Sequence, residues 1–188
     1  TELDADVDKP EQVANLIATT VATYGRLDFA FNNAGIGGTL APAGEQTIDD
    51  WNRVIGINLT GVFLCMKHEI AQMLTQGGGG GVIVNNASIL GLVGFRGASA
   101  YVAAKHGVLG LTKTAALEYA QQGIRVTAVC PGFIHTPMVD TALGEDTEAG
   151  QAIAAMHALG RMGDSEEIAS GVIWLCSAGA SFFTGQPL

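Results

Sequence analysis

Tyr101 and Lys105 stand at positions i and i+4 of a stretch patterned as a helix, so both project from one face of it. That spacing has a chemical use. A phenol with an ordinary pKa of about 10 is a poor base near neutrality. An ammonium about 5 Å away, at an effective dielectric near ~20, would stabilise the phenolate by about 3 kcal/mol, or roughly two pKa units. Tyr101 could then take a proton from an alcohol or give one to a carbonyl. A Tyr and a Lys one turn apart also occur on exposed helices that do no chemistry, so the neighbours must decide. Gly107 and the pair Ala103-Ala104 keep the helix slim enough for close packing, and Ser88 lies upstream in a loop.

The elements that must position these residues follow from pattern and punctuation. Thr1–Asp6 reads as the end of a strand, and Pro10 opens a helix whose apolar face is Val13, Leu16, Ile17, Val21 and Tyr24, with Gly25 ending it. Leu27–Asn32 has strand length and is followed by the turn residues Asn33–Gly38. Thr47 is a candidate N-cap, with Asp49 and Asp50 in the first turn of a long helix. That helix is expected to turn Trp51, Val54, Ile55, Val62, Phe63, Met66, Ile70 and Met73 inward. The run Gly77–Gly81 follows this helix and precedes the strand Val82–Asn85, the reverse of a phosphate loop, and so reads as a connector.

After the loop Asn86–Ala98, Ser99 is expected to cap a helix running to Gln122 and closed by Gly123, with Ile124–Cys130 as another buried strand. Pro131–Gly163 holds a loop and a weak helix, and Asp164 with Glu167 starts a last helix to Ser177 as a capping box. Strands apolar on both faces that alternate with helices predict an α/β fold. It is a doubly wound parallel sheet with helices on both faces, in one Rossmann-like domain over residues 1–188. In such sheets ligands bind outside the carboxyl ends of the strands. Asp6, Asn33-Ala34-Gly35, Ser88 and Pro131-Gly132 occupy those ends, and with Tyr101 and Lys105 they would surround one crevice.

Asn33-Ala34-Gly35, Asn58-Leu59-Thr60-Gly61, the strand and loop Ile83–Ser88, Tyr101-x-x-x-Lys105 and Pro131-Gly132-x-x-x-Thr136 resemble, in order, the motifs of the short-chain dehydrogenase/reductase family. The resemblance covers essentially the whole chain. It implies an NAD(P)-dependent oxidoreductase that moves hydride between the nicotinamide cofactor and a secondary alcohol or ketone. Tyr101 would be the acid/base, and Lys105 would lower its pKa and hold the nicotinamide ribose. Ser88 would bind the substrate oxygen, with Ala87 standing where many members carry a second serine. Asn58 would hold a water joining Lys105 to a proton relay. Asp6 and the Val7 backbone would meet the adenine, Asn33, Ala34 and Gly35 would pass beneath the adenosine ribose, and Ile134 and Thr136, on the Pro131-Gly132 loop, would hold the carboxamide.

The family's opening strand and glycine-rich turn are absent from this sequence, which begins where the third strand is expected. It stops at Thr184–Leu188 before the usual last strand, so the resemblance reads it as incomplete at both ends. The residue that reads the ribose 2′ position would follow the absent second strand, which leaves NAD or NADP open, with NAD slightly favoured. The resemblance further implies a homotetramer in which the Asp49–Leu74 and Tyr101–Gln122 helices pack against their copies. Trp51, Phe63 and Met66 would suit such a surface, as they would a core.

Composition excludes several other classes. A net charge of -9 and a pI of about 4.7 offer no basic surface for nucleic acid or anionic lipid. The uncharged stretches Ile70–Phe95 and Ile168–Leu188 are broken by Gly, Ser, Asn, Gln or Thr and suit buried elements better than membrane spans. No basic start with an apolar run marks a signal peptide, so a cytoplasmic location is expected. Cys65, Cys130 and Cys176 are expected to be buried, reduced thiols, and the histidines show no metal-ligand spacing, so no metal is expected. Asp4, Asp6 and Asp8 lack the Gly and terminal Glu of a calcium loop. The sequons at Asn58 and Asn86 are not expected to carry sugar, since one lies within a helix and nothing in the sequence suggests secretion. Asp28 is expected to be structural, and His135 could line the pocket or face solvent.

Ile89, Leu90, Gly94, Phe95, His135 and the Met138–Leu159 segment are mostly apolar and favour a compact cyclic or aliphatic substrate. Gly144 and the acidic run beside it suggest a segment able to close over that substrate. The alternative reading is a non-catalytic dinucleotide-binding sensor or scaffold of the same fold, which would have no need of Asn58, Ser88, Tyr101 and Lys105 together.

Overall fold

A computed structural model describes residues 2–77, 80–143 and 147–188. Two expectations therefore fall partly outside the described residues: the middle of the Gly77–Gly81 connector, and the Gly144-centred closing segment.

Helix α1 (Pro10–Tyr24) starts at its proline and ends at Gly25, whose φ of 85° is the left-handed turn that only glycine adopts cheaply. Strand β1 (Phe29–Asn32) follows. The next helix is α2 (Ile48–Ile55), capped by the Thr47 side chain, which accepts from the Asp50 N–H. It does not run straight on. A π-helical segment, Gly56–Gly61, intervenes before α3 (Val62–Thr75). Beyond β2 (Gly81–Asn86) comes α4 (Ser99–Tyr119), then a single 3₁₀ turn, Gly123 and β3 (Ile124–Val129). Short helices α5 (Pro137–Leu143) and α6 (Glu148–Ala155) replace the expected weak helix. Helix α7 (Ser165–Cys176) begins where Glu167 accepts from the Asp164 N–H at 2.9 Å.

Among the described residues the strands form one parallel sheet in the order β1-β2-β3. Period-two alternation sorts their side chains. Ile83, Ile124, Val126 and Ala128 pack under α3 and α4, with Met66, Ile70, Met73 and Val108. Val82, Val84 and Val129 meet Val172 and Leu175 of α7 on the other face. Helices thus cover both faces, which a parallel sheet requires. Residues 185–188 continue the order past β3, with the Cys130 N–H donating to the Leu188 carbonyl at 2.7 Å and the Gly185 N–H to that of Val126 at 2.7 Å.

Three sequence expectations change here. Residues 2–6 form no strand, because a strand needs a partner and among the described residues none runs beside them. Trp51 and Phe63 are 38% and 49% exposed rather than turned inward. The π segment adds a residue to its turn, so one apolar phase cannot run unbroken through α2 and α3. Ser99 is the first residue of α4, not its cap, and its hydroxyl donates to Gln46 Oε1 at 2.5 Å.

Candidate active site

Ser88 is placed by the strand before it. Past the end of β2 the Ala87 N–H still donates to the Val129 carbonyl, and the Ile89 N–H to that of Pro131, both at 2.9 Å, so the loop stays laced to the end of β3. The Ser88 hydroxyl accepts from the Leu90 N–H at 3.1 Å, closing a short 3₁₀ turn over Ile89–Gly91. Gly91 lets that turn rest directly on α4, since a Cβ there would lie 2.9 Å from the Lys105 carbonyl oxygen. Ser88, Tyr101 and Lys105 are thereby fixed against one another by backbone contacts.

Lys105 is 4% exposed, and its Nζ donates to the Asn86 carbonyl at 2.6 Å while lying 5.5 Å from the centre of the Tyr101 ring. Burial brings its pKa down to about 8, so it still carries its proton at pH 7. Burial also pushes the Tyr101 phenol above the ordinary tyrosine value, and a hydrogen bond with Ser88 offsets part of that rise. The depressed phenol expected from the Tyr-Lys spacing is therefore not what the geometry yields. Desolvation disfavours the charged form of each group, and the ammonium is committed to Asn86. In this state Tyr101 is an acid holding its proton.

Asn58 is fully buried in the π segment. Its Nδ2 donates to the Ile36 carbonyl and its Oδ1 accepts from the Ile36 N–H, each at 2.8 Å. Its side chain thus braces the loop after β1, which carries Asn33, Ala34 and Gly35. The junction is tight: a Cβ on Gly107 would fall 2.8 Å from Leu59 Cδ1, so α4 sits directly on the Asn58-Leu59-Thr60-Gly61 turn. Such burial also rules out a sugar on Asn58 in the folded protein.

Two compartments meet at these residues. The first, of about 550 Å³, is lined by Asn33, Ala34, Gly35, Ser88, Tyr101, Lys105, Pro131, Gly132, Ile134 and Thr136. All are residues the sequence assigned to chemistry or cofactor. The second, of about 340 Å³, has no charged side chain in its wall and is bounded by Leu40, Ile89, Leu90, Phe95, Phe133 and Met138. Ser88 and Tyr101 line both. Val7 lies in a third cavity, of about 380 Å³, which shares Asn33 and Ala34 with the first. Asp6 lines none of the three cavities, and its N–H donates to Gln12 Oε1 at 2.8 Å.

His135 turns to Asp140, 3.3 Å away, and neither it nor Gly94 borders these compartments. Asp28 pairs with Arg26 at 2.7 Å. Sequence reasoning missed Asn86, the partner of Lys105, and Phe133. For Asn86 the signal was its place at the strand end, two residues before Ser88.

The first compartment suits a nicotinamide nucleotide. The Asn86 Oδ1 is a buried acceptor with no protein partner, its Nδ2 reaches Asn33 at 2.7 Å, and the Lys105 ammonium sits on the same residue. A buried acceptor beside a cation on a polar floor is what ribose hydroxyls and an amide can satisfy.

Comparison with known proteins agrees. All of residues 1–188 match the family model described as Enoyl-(Acyl carrier protein) reductase. The chain is 48% identical to cyclohexanol dehydrogenase from Acinetobacter sp. (strain SE19) over 97% of its own length and 69% of that protein's. It is 42% identical to a 2,5-dichloro-2,5-cyclohexadiene-1,4-diol dehydrogenase from Sphingobium indicum, over 97% and 73%. It is 45% identical to cis-4-hydroxycyclohexanecarboxylate dehydrogenase from Sinomonas cyclohexanicum, over 97% and 72%. Among solved structures, NAD+-bound xylitol dehydrogenase superposes with a TM-score of 0.91 at 34% identity, covering 98% of this chain and 75% of that one. ElxO with NADP bound gives 0.90 at 36% identity, covering 100% and 74%. Likeness of this extent, in sequence and in fold, means that the chain belongs to the short-chain dehydrogenase/reductase family and is a nicotinamide-dependent oxidoreductase acting on secondary alcohols and ketones.

Proposed function

We propose that the substrate is an uncharged six-membered carbocyclic secondary alcohol, or the matching ketone, and that Tyr101 is the group that exchanges the hydroxyl proton. One observation carries the reading: Ser88 and Tyr101 line both compartments, one polar and holding Lys105, the other apolar and without charge. An alcohol carbon seated in the second would face the first across these two hydroxyls. That three relatives are named for cyclohexane or cyclohexadiene alcohols supports the ring.

A bound nicotinamide supplies the hydride acceptor or donor. The chain's own residues do the rest. Ser88 orients the substrate oxygen by hydrogen bonding. In ketone reduction Tyr101 gives its proton to the developing alkoxide, and in alcohol oxidation it accepts one. Lys105 offers its ammonium to the ribose hydroxyls and stabilises the phenolate once it forms. Asn58 acts as a positioning residue through Ile36. Asn33, Ala34, Gly35, Pro131, Gly132, Ile134 and Thr136 would contact the nucleotide, with Asp6 and Val7 at its adenine end.

NAD and NADP both suit this site, and the assay is run with each. The reading extends to a single domain, a cytoplasmic location and a homotetramer built on α2–α4. The test is the full-length enzyme with cyclohexanol and either nucleotide, followed at the nicotinamide absorbance band. Turnover is expected in the wild type, with a drop of about a thousandfold in Tyr101→Phe at little change in nucleotide affinity. Undiminished turnover in Tyr101→Phe contradicts the assignment.

A further inference from the structure

His157 follows α6 among exposed neighbours, Met156 at 73% and Leu159 at 80%, yet turns its ring in towards the loop after β3. Its Nε2 accepts from the Phe133 N–H at 3.0 Å, and its Nδ1 lies 3.0 Å from the Ile153 carbonyl oxygen. A carbonyl only accepts, so the proton is on Nδ1 and Nε2 is bare. A neutral imidazole has one donor and one acceptor, and both are used. The ring also meets Phe133 edge to face, with centroids 6.1 Å apart, and Phe133 in turn contacts Phe95 at 6.0 Å. The approach is close enough to require Gly132, where a Cβ would lie 2.6 Å from Nε2. Phe95 and Phe133 belong to the wall of the apolar compartment, whereas His157 does not border it.

We infer that His157 is a positioning residue for substrate: in its Nδ1-protonated form it ties α6 to Phe133 and so fixes the aromatic wall against which the substrate ring packs. The hydrogen bond sets the backbone of Phe133, and the edge-to-face contact sets its ring. His157 thereby acts on substrate fit, while Tyr101 and Lys105 act on the chemistry. The inference rests on the reading of the apolar compartment as the substrate's.

The experiment has a spectroscopic and a kinetic arm, both on the full-length enzyme. Long-range ¹H–¹⁵N correlation without ligand is expected to show His157 protonated on Nδ1 alone; protonation on Nε2 overturns the inference. In His157→Phe the ring remains but the acceptor is lost, leaving the Phe133 N–H unpaired. The KM for cyclohexanol should rise about tenfold, with kcat changing by less than about threefold. In His157→Gln, whose Oε1 takes the place of Nε2, the KM should return to within about threefold of wild type. Equal damage in both variants, or none in His157→Phe, contradicts the proposal. Wild-type enzyme inert towards every cyclic alcohol would sink the substrate reading itself, a result distinct from active wild type with an unaffected His157→Phe.

Discussion

Lys105 and Tyr101 each carry a pKa set by burial more than by the other's charge, which gives the site a defined starting state: ammonium and neutral phenol. A consequence can be read from pH. The value of kcat/KM for the nucleotide reports groups on the free enzyme. It should fall above about pH 8 as Lys105 loses its proton, and Lys105→Met should lower the plateau and remove the break. A wild-type profile flat through that region contradicts the role given to the ammonium. At this scale the sequence was informative about identity. Ser88, Tyr101, Lys105 and the Pro131–Thr136 loop do line one compartment. The protonation state was not legible, because it depends on desolvation that spacing does not encode. Nor was the brace that the Asn58 side chain gives Ile36, which exists only once the loop after β1 folds back on it.

Helix α3 holds one acid the chemistry does not use. Glu69 is 3% exposed, receives the Asn32 amide at 3.1 Å, and through Asn32 joins Asn85 and Thr112 in a buried polar line across β1, β2 and α4. Burial lifts its pKa to about 7, and burial, with a smaller contribution from the Glu69 charge, holds the Cys65 thiol up at about 12. The native state thus keeps the Glu69 proton over a range in which the unfolded chain has lost it. Stability from this group is present below about pH 4.5 and is lost as pH rises towards about 7. Glu69→Gln keeps the acceptor for Asn32 without the charge. It should stabilise the protein at pH 8 by on the order of 3 kcal/mol and leave it nearly unchanged at pH 4.5, as read from denaturant unfolding. Equal stability of variant and wild type at pH 8 contradicts the buried-acid account.

Helix limits were legible where chemistry marks them, as at Pro10, Gly25, Thr47, Glu167 and Gly123. The π segment was not, because no residue type marks its ends; it lies where α4 packs on Leu59 across Gly107. Trp51 and Phe63 lie on either side of that segment, both at the surface. Residues 2–6 show the converse case, since among the described residues their strand-like sequence has no ladder to join.

For the whole molecule, the alternation of strand and helix was enough to give a parallel sheet covered on both faces, and that is the frame on which the two compartments meet. Ile48, Phe63 and Leu117 remain 73%, 49% and 87% exposed on α2, α3 and α4. Met66, by contrast, is buried in the core and is unavailable to a partner. The proposed homotetramer predicts a mass four times that of one chain by light scattering of the full-length enzyme, and a smaller species in Leu117→Glu. A wild-type monomer contradicts it.

The claim at the centre is direct hydride transfer with Tyr101 carrying the proton. It is tested most directly with cyclohexanol deuterated at its alcohol carbon, incubated with oxidised nucleotide and the full-length enzyme. Deuterium should appear at the nicotinamide carbon of the reduced nucleotide, and that transfer should all but vanish in Tyr101→Phe. Deuterium released to water, or transfer undiminished in Tyr101→Phe, would contradict the account.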